Sequence, residues 1–393
     1  MNLPLGYRYA TVYAGIRKQQ RDDLALIVAD RGANAAAVFT TNVVQAAPVR
    51  LARKHLRASK GRVAAVLVNA GNANCATRTG ERVALESVKA VAKALRTKTH
   101  FVLPASTGVI GVELEARLIA EAVPKLAAAL SPNGFEAVAH AMLTTDTRLK
   151  IASEEIALRR GKVRVAGMTK GSGMIHPGMA TTLAFVMTDA MAEPSLLRRM
   201  LVNATERSYN SLSVDGDMST NDMAVLMANG ASAAGPLDGN SRGLLEEAVI
   251  RVMESLAQQI ASDGEGARKL IVVRTSGFRS VEDARKAARS IANSPLVKTA
   301  IAGSDPNWGR ILSAAGYSGA AFDPGDVDIF LQDVQVCGKG VAAEYDEPAL
   351  KRRLDEAKVE MRVAIRGRGK GEARFFTCDF TEGYIQINGS YRT

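Results

Sequence analysis

Residues 170–190 join two kinds of sequence that cannot belong to one regular element. The segment 170–180, KGSGMIHPGMA, carries three glycines and a proline, which disfavour a continuous helix or strand. It is followed at 181–188 by TTLAFVMT, whose β-branched and apolar residues are typical of a buried strand. The pattern therefore predicts that Thr181 is the first residue of a buried strand, which the chain enters from a tight glycine turn.

A threonine in this position is placed like an N-terminal nucleophile. Its hydroxyl can attack the carbonyl of Ala180, pass through an ester and leave a cut chain in which Thr181 has a free α-amine. Such an amine has an ordinary pKa of about 7.7–8.0, so it can act as the general base that the hydroxyl otherwise lacks. The simpler interpretation is that two threonines at the start of a strand reflect only β propensity.

The composition is that of an ordinary globular protein. The chain has 393 residues, of which 47% are hydrophobic and 23% charged, enough for two cores or one large core. No apolar run reaches the roughly 18–20 residues of a membrane span, and the N-terminal sequence shows no signal peptide pattern. The cysteines Cys75, Cys337 and Cys378 are too few and too scattered for a disulfide framework or a zinc site. We therefore expect a cytoplasmic protein without a membrane partner or a bound metal.

The net charge of +11 raises the alternative of a nucleic-acid-binding protein. However, the densest basic clusters, 50–60 and 351–370, are interleaved with acidic or apolar residues. Aromatic residues make up only 5% of the chain, which leaves few platforms for base stacking. Because a basic surface can instead attract anionic amino-acid substrates, we expect no nucleic-acid partner.

Strand-like and helix-like segments alternate along the whole chain. Predicted strands cover 24–40 (two strands around a turn at 30–32), 63–70, 154–158, 162–167, 181–188, 222–228, 269–275, 327–336, 360–366, 373–380 and 383–388. Predicted helices cover 81–96, 112–130, 135–143, 195–208 and 242–261, and a further helix begins after an N-cap at Ser280. Hairpins together with long helices indicate an α/β fold, a layered sandwich of mixed β-sheets covered by helices. No glycine-rich phosphate-binding motif of a doubly wound nucleotide fold is present.

Acyl transfer also needs an oxyanion hole. The segment 104–111, PASTGVIG, follows the strand-like residues FVL. Its Thr107-Gly108 turn can aim a hydroxyl and a backbone N–H at one point, which is the geometry that an oxyanion requires. A simple turn between a strand and a helix is the alternative on local sequence.

The segment 170–190 closely resembles the cleavage and nucleophile segment of the ornithine acetyltransferase family, the bifunctional glutamate N-acetyltransferases of arginine biosynthesis. The resemblance extends along nearly the full length, through AAAVFTTN (35–42), VNAGNANC (68–75), DGDMSTND (215–222), SDPNWGRI (304–311) and TCDFT (377–381). In that family the chain cuts itself at Ala-Thr, and the new N-terminal threonine carries the acetyl group. The resemblance therefore implies cleavage between Ala180 and Thr181, into an α chain of residues 1–180 and a β chain of residues 181–393.

The resemblance also implies the other residues of the site. Thr107 and Gly108 match the family's oxyanion pair. The substrate-binding positions are Thr147, Lys170, Thr181, Glu265, Asn388 and Thr393. A carboxylate at Glu265 suits the cationic end of ornithine. Two positions depart from the family pattern, because Leu149 stands where proline is frequent and Gly389 stands where alanine is usual.

Two further features invite other roles. Asp215, Asp217 and Asp222 could suggest a metal cluster, but they lack the loop glutamate of an EF-hand, so we expect a structural loop or one near the site. His176, next to Pro177, could suggest a base. The family tolerates other residues there, and we therefore interpret His176 as structural.

The resemblance implies a self-cleaving enzyme of the N-terminal-nucleophile type. It would transfer the acetyl group of N2-acetyl-L-ornithine to L-glutamate through an acetyl-Thr181 intermediate, and its paired α and β chains would form a heterotetramer. No cofactor is expected, and the use of acetyl-CoA as a second acetyl donor stays open. One alternative is an amidase or aminopeptidase of the related fold, which would transfer the acyl group to water. The other is the basic nucleic-acid-binding protein.

Overall fold

The described part of the chain, residues 1–176 and 182–390 of the computed structural model, forms two mixed β-sheets with helices packed against them. Its strands are β1 (Tyr7–Val12), β2 (Leu24–Phe39), β3 (Arg62–Asn72), β4 (Val102–Val109), β5 (Lys150–Leu158), β6 (Gly161–Lys170), β7 (Leu183–Thr188), β8 (Met223–Ala228), β9 (Leu270–Phe278), β10 (Val327–Leu331), β11 (Val334–Gly338), β12 (Val341–Ala342), β13 (Lys358–Ile365) and β14 (Gly371–Cys378). Its helices are α1 (Ala47–Ala58), α2 (Gly80–Ala94), α3 (Ala116–Ala128), α4 (Phe135–Ala141), α5 (Pro194–Arg207), α6 (Gly239–Ser262), α7 (Val281–Asn293), α8 (Pro295–Ala302), α9 (Trp308–Gly316), α10 (Glu347–Leu354) and α11 (Glu382–Asn388). The first sheet has the order β4-β3-β2-β8-β7-β6-β5 with β1 also on β2, and the second has the order β12-β11-β10-β13-β9-β14.

The first sheet folds over on itself at β2. The N-terminal half of β2 pairs with β1 and β3, the C-terminal half pairs with β8, and the register with β3 is irregular between Val28 and Ala33. Side chains of the two halves of the sheet meet in one core cluster, which joins Val66 of β3 to Phe185 of β7. The turn predicted at 30–32 is therefore an irregularity within one long strand, because pairing continues on both sides of it.

Strands β7 and β8 are buried on both faces. Ala184 and Val186 of β7 contact the cluster that contains α5 and α6, whereas Phe185 and Met187 contact the opposite half of the sheet. β7 pairs in parallel with β8 and antiparallel with β6. A continuous apolar sequence is typical of a strand buried on both faces. The structure confirms the strand predicted at 181–188 in its described part.

Helix α6 lies between the two sheets, because it contacts β5 and β6 of the first and β9 and β14 of the second. The far side of the second sheet packs against α7 to α10 in a separate cluster. Layers of helix and sheet therefore alternate, which confirms the predicted α/β layered sandwich. Neither α6 nor any other helix of the described ranges combines the length and apolarity needed to cross a membrane.

The strand predicted at 383–388 is wrong, because these residues form helix α11. The hydroxyl of Thr381 caps this helix by accepting the backbone N–H of Gly383 at 3.0 Å. Alternating apolar residues suggested a strand, but they do not face a core: Ile385 is 70% exposed. Two features therefore favour a helix over a strand: the Thr381 cap, and the absence of a sheet partner within the described chain.

The strand predicted at 327–336 is also wrong as a single element. The chain reverses between β10 and β11, because Gln332 and Asp333 adopt left-handed backbone conformations with φ of 48° and 63°. The sequence pattern also missed α1, α8, α9 and α10. The last three span only 8 or 9 residues, which is too short for a helical period to stand out.

His55 provides a test of the packing of α1 against β4. Its Nδ1 lies 2.8 Å from the carbonyl oxygen of Val102. Burial lowers the pKa of His55, while the hydrogen bond to Val102 partly opposes this change. Because the folded pKa lies below the unfolded value of about 6.5, the free energy of unfolding should fall as pH decreases from 6.5 towards the lowered pKa, with a slope of at most about 1.4 kcal/mol per pH unit.

The variant His55→Asn keeps an amide N–H near the Nδ1 position and does not titrate. We expect the stability difference between the wild type and this variant to shrink as pH falls from about 7 to about 5, measured by urea denaturation at several pH values. A difference that does not change with pH would contradict the assigned pKa shift.

Candidate active site

A cavity of about 350 Å³ brings together residues that are far apart in the sequence. Five of the predicted site residues line it: Thr107, Gly108, Lys170, Glu265 and Asn388. Ala180, Thr181 and Thr393 lie outside the described residues. Thr147 lies next to the cavity wall, whereas its neighbours Thr144 and Thr145 line the cavity itself.

The turn predicted at Thr107-Gly108 is wrong, because both residues belong to β4, which ends at Val109 and runs parallel to β3. Gly108 lies opposite Gly71 and has a φ of 130°, a backbone conformation that favours glycine. A Cβ on Gly108 would lie 2.2 Å from the carbonyl carbon of Gly71, so no side chain fits there. This close approach places the Thr107 hydroxyl group and the Gly108 backbone at the wall of the cavity.

The side chain of Asn221 connects the two halves of the first sheet beside this cavity. Its amide donates hydrogen bonds to the carbonyl oxygens of Ala73 at 2.7 Å and Ser106 at 2.9 Å. Two residues further on, the backbone N–H of Met223 donates to the carbonyl oxygen of Thr182 at 2.9 Å. The ends of β3 and β4 and the starts of β7 and β8 therefore meet at one place.

A buried charge network surrounds Lys170, the last residue of β6. The Nζ of Lys170 lies 3.9 Å from Asp146, which also accepts a hydrogen bond from Lys150 at 2.8 Å. Lys150 in turn pairs with Asp263, and Asp263 accepts both the backbone N–H of Thr147, at 3.0 Å, and its hydroxyl. Thr147 is therefore joined to the charges around Lys170 through Asp263 and Lys150, from behind the cavity wall.

The pKa values of Lys170 and Asp146 are both shifted, and their surroundings explain the direction of each shift. Burial lowers the pKa of Lys170, and Asp146 opposes part of this change. Burial raises the pKa of Asp146, but Lys170 and Lys150 outweigh burial and hold that pKa well below its usual range. Asp146 is therefore an anion that keeps a positive charge at the cavity favourable.

Glu265 presents a carboxylate at the same cavity. It is 8% exposed, and its Oε2 accepts a hydrogen bond from the side-chain amide of Asn388 at 2.8 Å. A Cβ on Gly173 would lie 2.3 Å from Oε2 of this carboxylate, so a side chain at position 173 would displace it. The cavity therefore offers a fixed carboxylate together with the ammonium of Lys170, a pair that complements a small amino acid.

Two further residues organise the cavity: Asp215, whose motif was expected to form a structural loop or one near the site, and Tyr384, which the sequence did not single out. Asp215 accepts the backbone N–H groups of Met174 at 2.6 Å and Ile175 at 2.9 Å, and the hydroxyl of Tyr384 lies 3.4 Å away. Burial raises the pKa of Asp215, and burial together with nearby acidic groups raises that of Tyr384. The DGDMSTND motif pointed to Asp215, but no sequence signal pointed to Tyr384, which had been assigned to a strand.

The other acidic residues of that motif have separate positions. Asp217 lines the cavity, whereas Asp222 is fully buried directly before β8, and burial raises its pKa well above the usual range. The described residues hold no group of three histidine, cysteine or acidic side chains that could bind a metal ion. His176 does not line the cavity, and burial lowers its pKa.

The layered α/β fold and this cavity together define an enzyme that acts on a small amino-acid substrate. Thr107 and Gly108 of β4 suit acyl chemistry, and the buried ammonium and carboxylate suit the two ends of the substrate. The model of the ArgJ family matches residues 8–393, and the chain belongs to that family.

Relatives match over essentially the whole chain. A protein of Thermus thermophilus named arginine biosynthesis bifunctional protein ArgJ is 46% identical over 398 residues, covering 100% of both chains. A protein of the same name from Chlorobaculum tepidum is 44% identical over 391 residues, covering 99% of this chain and 96% of the relative. The crystal structure of arginine biosynthesis bifunctional protein ArgJ from Bacillus halodurans is 38% identical with a TM-score of 0.51, and covers 53% of this chain and 98% of that chain.

Substitution of Gly108 tests the close approach of β4 to β3. We expect Gly108→Ala to lower the free energy of unfolding by about 3 kcal/mol or more, because the new methyl group meets the backbone of Gly71. Gly111→Ala is the matched control, since Gly111 has a φ of 77° but nothing within 4 Å of an added Cβ. The control should lose only about 1–2 kcal/mol of left-handed strain. Equal losses in urea denaturation would show that the contact with Gly71 has no role.

Proposed function

We propose that this chain transfers the acetyl group of N2-acetyl-L-ornithine to L-glutamate, giving ornithine and N-acetylglutamate. The observation that carries the proposal is the convergence of five predicted site residues, drawn from distant parts of the sequence, on one cavity. Family membership supports acetyl transfer over an amidase and over a nucleic-acid-binding protein. The family model matches residues 8–393, so the support from family membership extends over nearly the whole chain.

The proposal includes self-cleavage between Ala180 and Thr181. The described residues on either side of this bond support it, because Met174 lines the cavity and β7 begins at Leu183. The crystallised relative from Bacillus halodurans is matched over 98% of its length by 53% of this chain, about the share that residues 181–393 represent. The fragments should stay together, because β6 and β7 are neighbouring strands in one sheet.

The proposed reaction has two steps, the acetylation of Thr181 by acetyl-ornithine and its deacetylation by glutamate. The Thr181 hydroxyl attacks the acetyl carbonyl, its proton passes to the Thr181 α-amine, and the Thr107 hydroxyl and Gly108 N–H stabilise the oxyanion. Collapse breaks the amide bond, and the departing ornithine nitrogen takes up the proton. The neutral α-amine of glutamate then attacks the acetyl ester, and the bond between the acetyl carbon and the threonine oxygen breaks. The proton lost by the glutamate amine passes through the Thr181 α-amine to that oxygen, which restores the hydroxyl. In this scheme Lys170 pairs with the substrate carboxylate, and Glu265 pairs with the cationic end of ornithine.

Three wider features belong to the same proposal. The α and β chains associate as a heterotetramer, and the enzyme works in the cytoplasm on small amino-acid substrates. No cofactor takes part, and the use of acetyl-CoA as a second acetyl donor stays open. Thr147 and Thr393 complete the substrate site, Thr147 through its bonds to Asp263, which pairs with Lys150.

Intact mass spectrometry tests self-cleavage. The purified protein should give fragments of 180 residues and of the remaining 213 of the 393, whereas Thr181→Ala should give one chain. Thr182→Ala is the matched control, because it removes the neighbouring hydroxyl and should still be cut. An active wild-type enzyme that stays a single chain would rule out the proposed processing.

The acetyl intermediate tests the transfer reaction. Acetyl-ornithine alone should add one acetyl group to the fragment that begins at Thr181, and glutamate should remove it. Because donor and acceptor use one site in turn, double-reciprocal plots against the two substrates should be parallel. Release of the acetyl group by water as fast as by glutamate would favour the amidase, and the lack of any acetylated fragment would exclude both acyl-transfer reactions.

A further inference from the structure

A second cavity, of about 660 Å³, lies between β2, α1 and the start of α5. We refer to it as the basic cleft. Four cationic side chains line it: Arg53, Arg57, Lys60 and Arg198. The rest of its described lining is apolar or neutral and contains no aspartate or glutamate. The cleft is nearly twice the volume of the proposed active-site cavity, so a ligand of substantial size can enter it.

The charged groups of the basic cleft lack acidic partners in the part of the chain that the structure describes. Arg53 stacks on the ring of Phe39, with 5.2 Å between the guanidinium carbon and the ring centroid. None of the four cations forms an ion pair with a described acidic side chain. Repulsion among them is therefore not relieved by neighbours in the described chain.

A different cavity shows that the high net charge of the chain does not by itself leave the cations of a cavity without acidic partners. The cavity of about 500 Å³ between α5, β9 and β14 is also lined by several arginines. There, Arg285 pairs with Glu206 at 3.1 Å, and Arg374 pairs with Glu254 at 2.5 Å. Four of the five arginines that line that cavity thus pair with acids, whereas none of the four cations of the basic cleft pairs with an acid of the described chain.

We propose that the basic cleft binds a small molecule that carries a diphosphate group, of the nucleoside diphosphate class. Arginine and lysine side chains are the preferred partners of phosphate oxygens. Ser195, in the first turn of α5, also lines the cleft, so the positive end of that helix dipole adds to the attraction. The apolar wall formed by the C-terminal half of β2, together with Leu56 and Pro194, suits the organic part of such a ligand.

The proposed active site does not offer a diphosphate the cationic side chains that line the basic cleft. Among the described residues, its cavity is lined by three acidic residues, Asp215, Asp217 and Glu265, against one lysine. A diphosphate would meet net negative charge there and net positive charge in the basic cleft. The inference concerns a second site, and it does not depend on the acetyl-transfer proposal.

Isothermal titration calorimetry of the purified full-length protein with ADP and with inorganic pyrophosphate tests the basic cleft. Both probes should bind, and ADP should bind more tightly, because only ADP can contact the apolar wall. The double variant Arg57→Gln/Arg198→Gln should weaken the binding of both probes by about tenfold or more. Binding should also weaken as the salt concentration rises.

The matched control is Lys54→Gln/Arg199→Gln, which removes two exposed cations from the same helices without touching the lining of the cleft. It removes the same net charge, and it should change the affinity by less than about twofold. Circular dichroism should show that both double variants are folded. Absence of binding at millimolar probe concentration, or equal weakening in the two double variants, would overturn the proposal.

Discussion

The burial of β7 and β8 on both faces is the constraint on which the rest of the structure depends. One face of this pair packs against α5 and α6, and the other packs against the opposite half of the same sheet. A strand held in this way cannot shift its register without exposing apolar residues. The start of β7 is therefore fixed relative to β6 and β8, and so are the residues at their ends: Lys170 at the end of β6 and Asn221 shortly before β8.

The buried charged side chains of the site are stabilised by ion pairs and hydrogen bonds rather than by contact with water. Asp146 lies between Lys150 and Lys170, and Asp263 contacts both Lys150 and Thr147. A buried charge is costly unless each member has a partner, so this network specifies one arrangement of the groups around the cavity. It also gives Thr147 a role through Asp263 and the charges around Lys170, without a place in the cavity wall.

Most of the first sheet and many of the long helices could be predicted, because their patterns follow local physics. The apolar run after Thr181, the helical stripe of α2 and the N-cap at Ser280 each depend on neighbouring residues, and the structure contains all three elements. The errors occur where distant contacts decide. The residues of α11 alternate like a strand but pair with no strand of the described residues, and the long irregular β2 contains residues that are typical of a turn.

The sequence by itself determined the elements near the proposed nucleophile and, through motifs, the identity of most residues in the cavity. Hydrophobic period, glycine content and capping are properties of short segments, so they can be read without knowing the fold. Only the tertiary structure decided that Glu265 meets Asn388, that Gly108 lies against Gly71, and that Asp215 and Tyr384 belong to the same cavity. These contacts join residues far apart in the chain, and their distances depend on how the layers pack, which no local pattern encodes.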